Sequence, residues 1–180
     1  MKIILIGIQG SGKSTQGMLL QKKFGLPYLA SGHIFRQLAK EDTETGKYIK
    51  EIMNAGYLIP DEKTLDIVSD YLNRTDYKNG YILDGFPRTV NQAEAFDQGA
   101  DKVIYLRVSD EEAKKRIAIR VNDDNRQDET DEAIKKRIES FHKFTEPVLE
   151  HYRTKNLLIE VNGEQSIEDI HKDIMKKLEK

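Results

Sequence analysis

The sequence predicts an α/β fold, a three-layer arrangement in which a five-stranded parallel sheet is flanked by helices. Three observations predict it. Five short apolar runs alternate with longer segments of helical period along the 180 residues, the pattern of right-handed strand–helix–strand crossovers. The first run ends in a glycine-rich stretch that leads directly into a helical segment. Hydrophobic residues make up 38% and charged residues 33%, which supplies one core beneath a heavily charged surface, and the length suits one domain.

The elements follow in order. Ile3 to Ile6 is a β-branched apolar run ended by Gly7 and reads as a strand buried on both faces. Ser14 to Phe24 reads as a helix, with Met18, Leu19 and Leu20 as its apolar surface and Gly25 as its C-cap. Pro27 to Ala30 is a short second strand. His33 to Ala39, Lys47 to Ala55 and Glu62 to Leu72 read as helices, with breaks near Gly46, Gly56 and Pro60. The segment from Ser31 to Ile59 has no strong strand and is expected to stand outside the sheet as a helical insertion. Tyr81 to Leu83, ending in Asp84-Gly85, is the third strand, and Val90 to Phe96 a helix.

Val103 to Val108 is the fourth strand. Ser109 stands three residues before Glu112, a capping-box spacing that opens the next helix. Asn122 to Thr130 is polar and aperiodic and reads as an exposed loop. Ile134, Ile138, Phe141, Val148 and Tyr152 form one stripe of a long helix. Leu157 to Val161 is the fifth strand. Ile167, Ile170, Ile174 and Leu178 give the last helix its apolar face, with Ser166 as its cap. No internal repeat or low-complexity linker interrupts the pattern.

Composition excludes several classes. The 29 Lys+Arg against 31 Asp+Glu leave a net charge of -2, which argues against a dedicated nucleic-acid binder. With no cysteine there are no disulfides and no thiolate zinc sites, which fits a reducing compartment. No apolar run approaches the roughly 20 residues that span a bilayer. Met1 to Ile8 has the look of a signal peptide, but the stretch is short and Gln9-Gly10-Ser11-Gly12-Lys13-Ser14 follows where a cleavage site would be. A cytoplasmic protein is expected.

Gly7-Ile8-Gln9-Gly10-Ser11-Gly12-Lys13-Ser14 fits G-x-x-x-x-G-K-[ST], the phosphate-binding loop or P-loop. A triphosphate needs several donors converging from one side. Glycines let backbone N–H groups turn inward without a Cβ in the way, and the following helix offers free amides and the positive end of its dipole. Lys13 can reach the β- and γ-phosphates, and the Ser14 hydroxyl can ligate magnesium. Four fixed positions match by chance in roughly 1% of chains this long, so the decisive point is context: the motif follows a buried strand and opens a helix. Asp84 ends another strand, where a carboxylate near bound magnesium would lie; Asp-Gly is also a common turn pair. Asp84-Gly85-Phe86-Pro87-Arg88 places a guanidinium after a strand's carboxyl end, the edge at which open α/β sheets bind ligands, and suits a second phosphate.

With these residues the chain resembles the adenylate kinases of the nucleoside monophosphate kinase family. The matching segments are Gly7 to Gln16, Ser31-Gly32 with Arg36, Gly56 to Glu62, Gly80 to Thr89 with Gln92, and the arginine-rich stretch from Arg116 to Arg137. The resemblance covers essentially the whole chain, and together these segments are highly specific. The resemblance implies a core of residues 1–29, 60–120 and 131–180, a monophosphate-binding insertion at 30–59, and a lid at 121–130 of the short kind, without structural zinc. It implies reversible Mg2+-dependent transfer from ATP to AMP giving two ADP. Its partners would be these nucleotides, with no nucleic acid or membrane, and a monomer is the expected state.

The resemblance also implies residue roles. ATP would be held by Gly10, Ser11, Gly12, Lys13, Ser14 and Thr15, with Arg116 stacking near its base, Gln165 offering a backbone contact and Arg120 meeting its phosphates. AMP would be surrounded by Ser31, Gly32, Gly56, Leu58, Gly85 and Gln92, with Arg36 and Arg88 on its phosphate. Lys13, Arg88, Arg120, Arg126 and Arg137 would act during transfer, with Arg126 arriving on lid closure, a motion for which adenylate kinases are a standard example. Magnesium would meet Ser14 and, through water, Asp84. Read from the residues alone, Arg116, Arg120 and Arg137 could instead form a solvated helix face with acidic partners such as Glu112.

Some positions depart from the family pattern. Gln9 stands where proline is usual, Ser14 where glycine is usual, His33 where an acidic residue is common near magnesium-bound waters, Glu129 for the second of two lid aspartates, and Ser31 for threonine. Gln92 has an amide that both donates and accepts, as an adenine edge requires. A UMP/CMP kinase is the alternative acceptor reading. A non-catalytic nucleotide-binding switch is the alternative of another class, and it would not need the pair Arg36 and Arg88.

Overall fold

The computed structural model describes residues 1–96, 99–124 and 130–179, with the side chains of residues 120–124 left aside. Its five strands are β1 (Lys2–Ile6), β2 (Tyr28–Ala30), β3 (Tyr81–Asp84), β4 (Lys102–Arg107) and β5 (Leu158–Asn162). They pair in parallel in the order β2-β3-β1-β4-β5. β1 sits in the middle, with Leu5 level with Asp84 on one side and Ile104 on the other. Ile4, Ile6 and Leu83 face one core, and Ile3, Leu5, Ile82 and Ile104 the opposite one. This explains the unbroken apolar runs: a strand covered on both faces has no side to leave polar.

α1 (Lys13–Phe24) and α9 (Ile167–Leu178) cover the second of these faces through Leu20, Ile170 and Ile174. α4 (Asp61–Leu72), α5 (Val90–Ala95) and α8 (Glu146–Thr154) cover the other through Val68, Leu72, Ala93, Val148 and Tyr152. α2 (Ser31–Leu38) and α3 (Glu44–Asn54) stand outside the sheet and enclose a small core of Phe35, Ile49 and Ile59. α6 (Asp110–Asp124) and α7 (Asp131–Ser140) complete the set. Side-chain oxygens of Thr43, Thr89, Thr130 and Ser166 accept from amides in the first turns of α3, α5, α7 and α9, each removing one unsatisfied donor from a helix start.

Five expectations are corrected. Gly46 does not break a helix but lies inside the first turn of α3, where a Cβ would come within 2.4 Å of the Glu41 carbonyl oxygen; close backbone approach, not a turn, is its use. Asn122 to Asp124 continue α6, and residues 125–129 of the expected loop lie outside the described residues. The long stripe from Ile134 to Tyr152 is crossed by a π-helical turn at Phe141–Thr145, just before Pro147 in the first turn of α8. The capping box at Ser109 is only half formed. Its hydroxyl accepts from the Glu112 amide at 3.4 Å, but the Ser109 amide donates to Glu164 at 2.7 Å because Glu112 is engaged by Arg116. Met18 and Ile167 are exposed and border the cleft described next rather than the core.

Candidate active site

A cavity of about 750 Å3 opens at the carboxyl ends of β1 and β3, between the sheet, the outlying α2–α3 segment and α7. The loop after β1 forms its floor. Gly10 has φ +86, and a Cβ there would lie 2.7 Å from the Ala113 carbonyl oxygen, so both the backbone shape and the packing demand glycine. Lys13 Nζ donates to the Gly7 carbonyl at 2.7 Å, to Ile8 at 3.0 Å and to Ser11 Oγ at 3.5 Å. The ammonium is thus held directly over the loop. Gly10, Gly12, Lys13, Ser14 and Thr15 line the cavity. Ser11 is buried beneath it, with its amide donating to Ile8.

Beside the lysine, Ser14 Oγ donates to Asp84 Oδ2 at 3.0 Å. Tyr28 donates its hydroxyl to the same oxygen at 2.6 Å. Burial, then the charge of Asp84, holds the Tyr28 phenol well above its ordinary range. Asp84 is therefore more than a turn residue: it ends β3 buried, facing the Ser14 hydroxyl. A hydroxyl and a carboxylate beside a phosphate loop form a hard-oxygen donor set that fits magnesium, which keeps several waters and takes one or two carboxylates plus substrate phosphates. Among the described residues no group of three or more His, Cys, Asp or Glu side chains could hold a metal.

The wall after β3 carries the second cluster. Gly85 has φ +79, and its carbonyl accepts from Arg88 Nε at 2.7 Å and from Ser31 Oγ at 2.8 Å. Burial, with the charge of Arg137 next, lowers the Arg88 guanidinium from its ordinary value; an arginine remains charged under such a shift. The Arg88 carbonyl accepts from Thr145 Oγ1 at 2.9 Å, and its amide donates to Gln92 Oε1 at 2.8 Å. Arg36, Gly32, Leu58, Gly85, Arg88 and Gln92 all line the cavity, whereas Ser31 is buried behind Gly85. Gly56 packs against Ala133 of α7 instead.

Two further guanidinium groups border the space. Arg116 Nε bonds Glu112 Oε1 at 2.7 Å, and its NH1 donates to the Gly163 carbonyl at 2.9 Å. It pairs with the expected acidic partner and lines the cavity as well. Arg137 donates to Gln9 Oε1 at 3.4 Å and to the Met53 carbonyl at 3.0 Å, joining the loop after β1 to the end of α3. Gln165 lines the cavity with its amide donating to Asn162 O and Asp173. His33 is exposed, with Gln37 at 3.4 Å. Arg126 lies outside the described residues, as does the side chain of Arg120.

A family model described as adenylate kinase matches residues 5–157. A protein named adenylate kinase from Caldicellulosiruptor bescii is 37% identical over 99% of both chains. Proteins of the same name from Acetivibrio thermocellus (34%, over 99% of this chain and 98% of the relative) and Leptospira biflexa (36%, over 98% and 99%) are also similar. The chain belongs to the adenylate kinase family. Its activity is phosphoryl transfer between ATP and AMP. The alignment with the Caldicellulosiruptor bescii protein spans 212 positions against the 180 residues here, whereas that with the Leptospira biflexa protein spans 184. This adenylate kinase family member is thus a shorter form than the first of those relatives.

The site also uses residues that sequence reasoning did not single out. Tyr28 on Asp84, Thr145 on Arg88 and Asp61 on Gln92 each support a side chain or backbone group that was expected. Tyr28 and Thr145 have no local signal. Asp61 falls between the break at Pro60 and the helix expected from Glu62, within the matching segment Gly56 to Glu62, and no role is read for it from sequence.

Proposed function

We propose that the residues around this cavity carry out reversible transfer of the terminal phosphoryl group of ATP to AMP in two facing halves. In the donor half, the amides of the loop, Lys13 and Thr15 hold the ATP phosphates, Arg116 lies along the donor base, and Gln165 offers its backbone. In the acceptor half, Arg36 and Arg88 hold the AMP phosphate, while Gly32, Leu58, Gly85 and Gln92 surround its nucleoside and Ser31 supports Gly85 from behind. Arg120, Arg126 and Arg137 neutralise the charge that accumulates between the two. Ser14 and, through water, Asp84 are the residues that would hold magnesium, which would supply positive charge against the ATP phosphates.

The observation that supports this reading is that Lys13 and Arg88 line one and the same cavity. A nucleotide switch has no use for the second cationic cluster. Two polyanions repel each other, and phosphoryl transfer depends mainly on positioning and electrostatic stabilisation rather than on a side-chain base. The organisation that follows is a core of residues 1–29, 60–120 and 131–180, an acceptor-binding insertion at 30–59 and a short lid at 121–130. No helix among the described residues is long and apolar enough to cross a membrane. The cytoplasm is the proposed location and a monomer the proposed state.

The test is a turnover assay pairing each nucleoside triphosphate with each nucleoside monophosphate in the presence of magnesium. ATP with AMP is expected to be the preferred pair. A preference for UMP or CMP overturns the adenine assignment. Lys13→Met is expected to abolish most transfer while leaving the circular dichroism unchanged; undiminished turnover rejects its role.

A further inference from the structure

Gln92 is buried, at 1% exposure, yet it is among the residues that line the cavity. A glutamine amide has four hydrogen-bonding positions, two N–H donors and two acceptor lone pairs. The protein occupies one of each. Oε1 accepts from the Arg88 amide at 2.8 Å, and Nε2 donates to Asp61 Oδ1 at 2.8 Å. The two partners leave no ambiguity about which end is which, because a backbone amide only donates and a carboxylate only accepts. One acceptor and one donor remain for a ligand.

We propose that Asp61 is a specificity-determining positioning residue, which locks the Gln92 amide in the one orientation that reads adenine. This rests on the proposed contact between Gln92 and the acceptor base. Adenine offers a 6-amino donor beside the N1 acceptor, the complement of an oxygen beside an N–H. Hypoxanthine offers the reverse, a 6-oxo acceptor beside an N1–H donor, and would need the amide turned over. Turning it over sets Oε1 against the Asp61 carboxylate and Nε2 against the Arg88 N–H, two repulsions in a buried site where unmatched polar groups are costly. Asp61 lies at the first residue of α4 and does not itself line the cavity, so it acts through Gln92 alone.

The test compares the full-length protein with Asp61→Ala, Asp61→Asn and Gln92→Ala, measuring kcat and KM for AMP and for IMP at saturating MgATP, and KM for ATP. Asp61→Ala is expected to raise KM for AMP about tenfold, to leave KM for ATP within twofold, and to shrink the AMP:IMP ratio of kcat/KM about tenfold. Asp61→Asn keeps the shape, but its amide can turn and offer a donor to a turned-over Gln92, so it is expected to leave KM for AMP near wild type while shrinking the AMP:IMP ratio. The proposal is overturned if Asp61→Ala leaves the ratio unchanged while Gln92→Ala impairs AMP use, and equally if Asp61→Ala weakens AMP, IMP and ATP by one common factor. If Gln92→Ala leaves KM for AMP unchanged, the base contact itself falls and the lock falls with it. Loss of fold by Asp61→Ala would show as a lowered melting temperature, and the Asp61→Asn ratio then decides: a shrunken ratio supports the lock, and a ratio near wild type rejects it.

Discussion

The phenolic hydroxyl of Tyr28 donates to Oδ2 of Asp84 at 2.6 Å. That oxygen also accepts from Ser14, so the buried carboxylate has two neutral donors in addition to the nearby charge of Arg88. Burial and the neighbouring charge raise the Tyr28 phenol above its ordinary value of 10.0. The stabilisation linked to that shift is fully present below about pH 10 and is lost as pH rises towards the raised folded value, because the unfolded chain ionises first. Tyr28→Phe is expected to cost about 1–2 kcal/mol in urea unfolding near neutrality. Its deficit against wild type is expected to narrow above pH 10. A deficit that stays constant across that range contradicts the linkage.

Gly85 faces Ser31 and Arg88 at once. A Cβ there would lie 2.8 Å from Ser31 Oγ and 3.1 Å from an Arg88 guanidinium nitrogen, on a backbone with φ +79. Gly85→Ala is expected to destabilise the fold by roughly 1–3 kcal/mol through backbone strain and to raise KM for AMP by displacing Arg88. Thermal unfolding and acceptor titration check the two effects, and an unchanged KM for AMP separates Arg88 from Gly85.

Arg88 is proposed to hold the AMP phosphate. Arg88→Ala is expected to lower kcat/KM for AMP by roughly 100-fold or more, as for loss of a preorganised charge-stabilising donor, while ATP affinity by equilibrium binding changes little. Equal losses for both nucleotides would reject the acceptor assignment.

His142 bridges two helices, with Asp110 at 2.9 Å and Glu146 at 3.2 Å. The hydrogen bond to Asp110, foremost, raises its pKa above 6.5. Its contribution is present in full below pH 6.5 and disappears as pH rises through the higher folded value. The side chain is 45% exposed, so solvent limits the gain to less than about 1 kcal/mol. Burial lowers His151 and His171, which act in the opposite direction in acid. The comparison is therefore between wild type and His142→Gln: the variant is expected to be less stable at pH 6 and nearly equal at pH 8.5 in chemical denaturation. A gap that widens with pH reverses the sign and refutes the pairing.

The strand order along the chain, the phosphate loop and the Asp84–Arg88 segment were legible because each is written in consecutive residues. Periodicity identifies β1, and the glycine-lysine pattern needs only its own eight positions. The supports of the site are not local. Tyr28 reaches Asp84 across 56 residues, Asp61 reaches Gln92 across 31, Thr145 reaches Arg88 across 57 and Arg137 reaches Met53 across 84. No spacing rule pairs such residues; the sheet order brings them together. Gly46 was misread for a related reason, since a glycine required by a neighbouring carbonyl looks in sequence like one required by a turn. The π-helical turn at Phe141–Thr145 escaped because the stripe from Ile134 to Tyr152 keeps a nearly regular helical spacing across it.

Three of the cations proposed to face the phosphates also donate to backbone carbonyls. Lys13 donates to Gly7 and Ile8, Arg88 to Gly85 and Arg137 to Met53. Carbonyl oxygens are neutral placeholders. They hold positive groups in position, yet a fully charged visitor outcompetes them, because ion–ion attraction exceeds ion–dipole attraction at equal distance. Arg116, assigned to a flat base rather than a phosphate, is tethered by a carboxylate, Glu112. That ion pair stands where no arriving anion has to dislodge it.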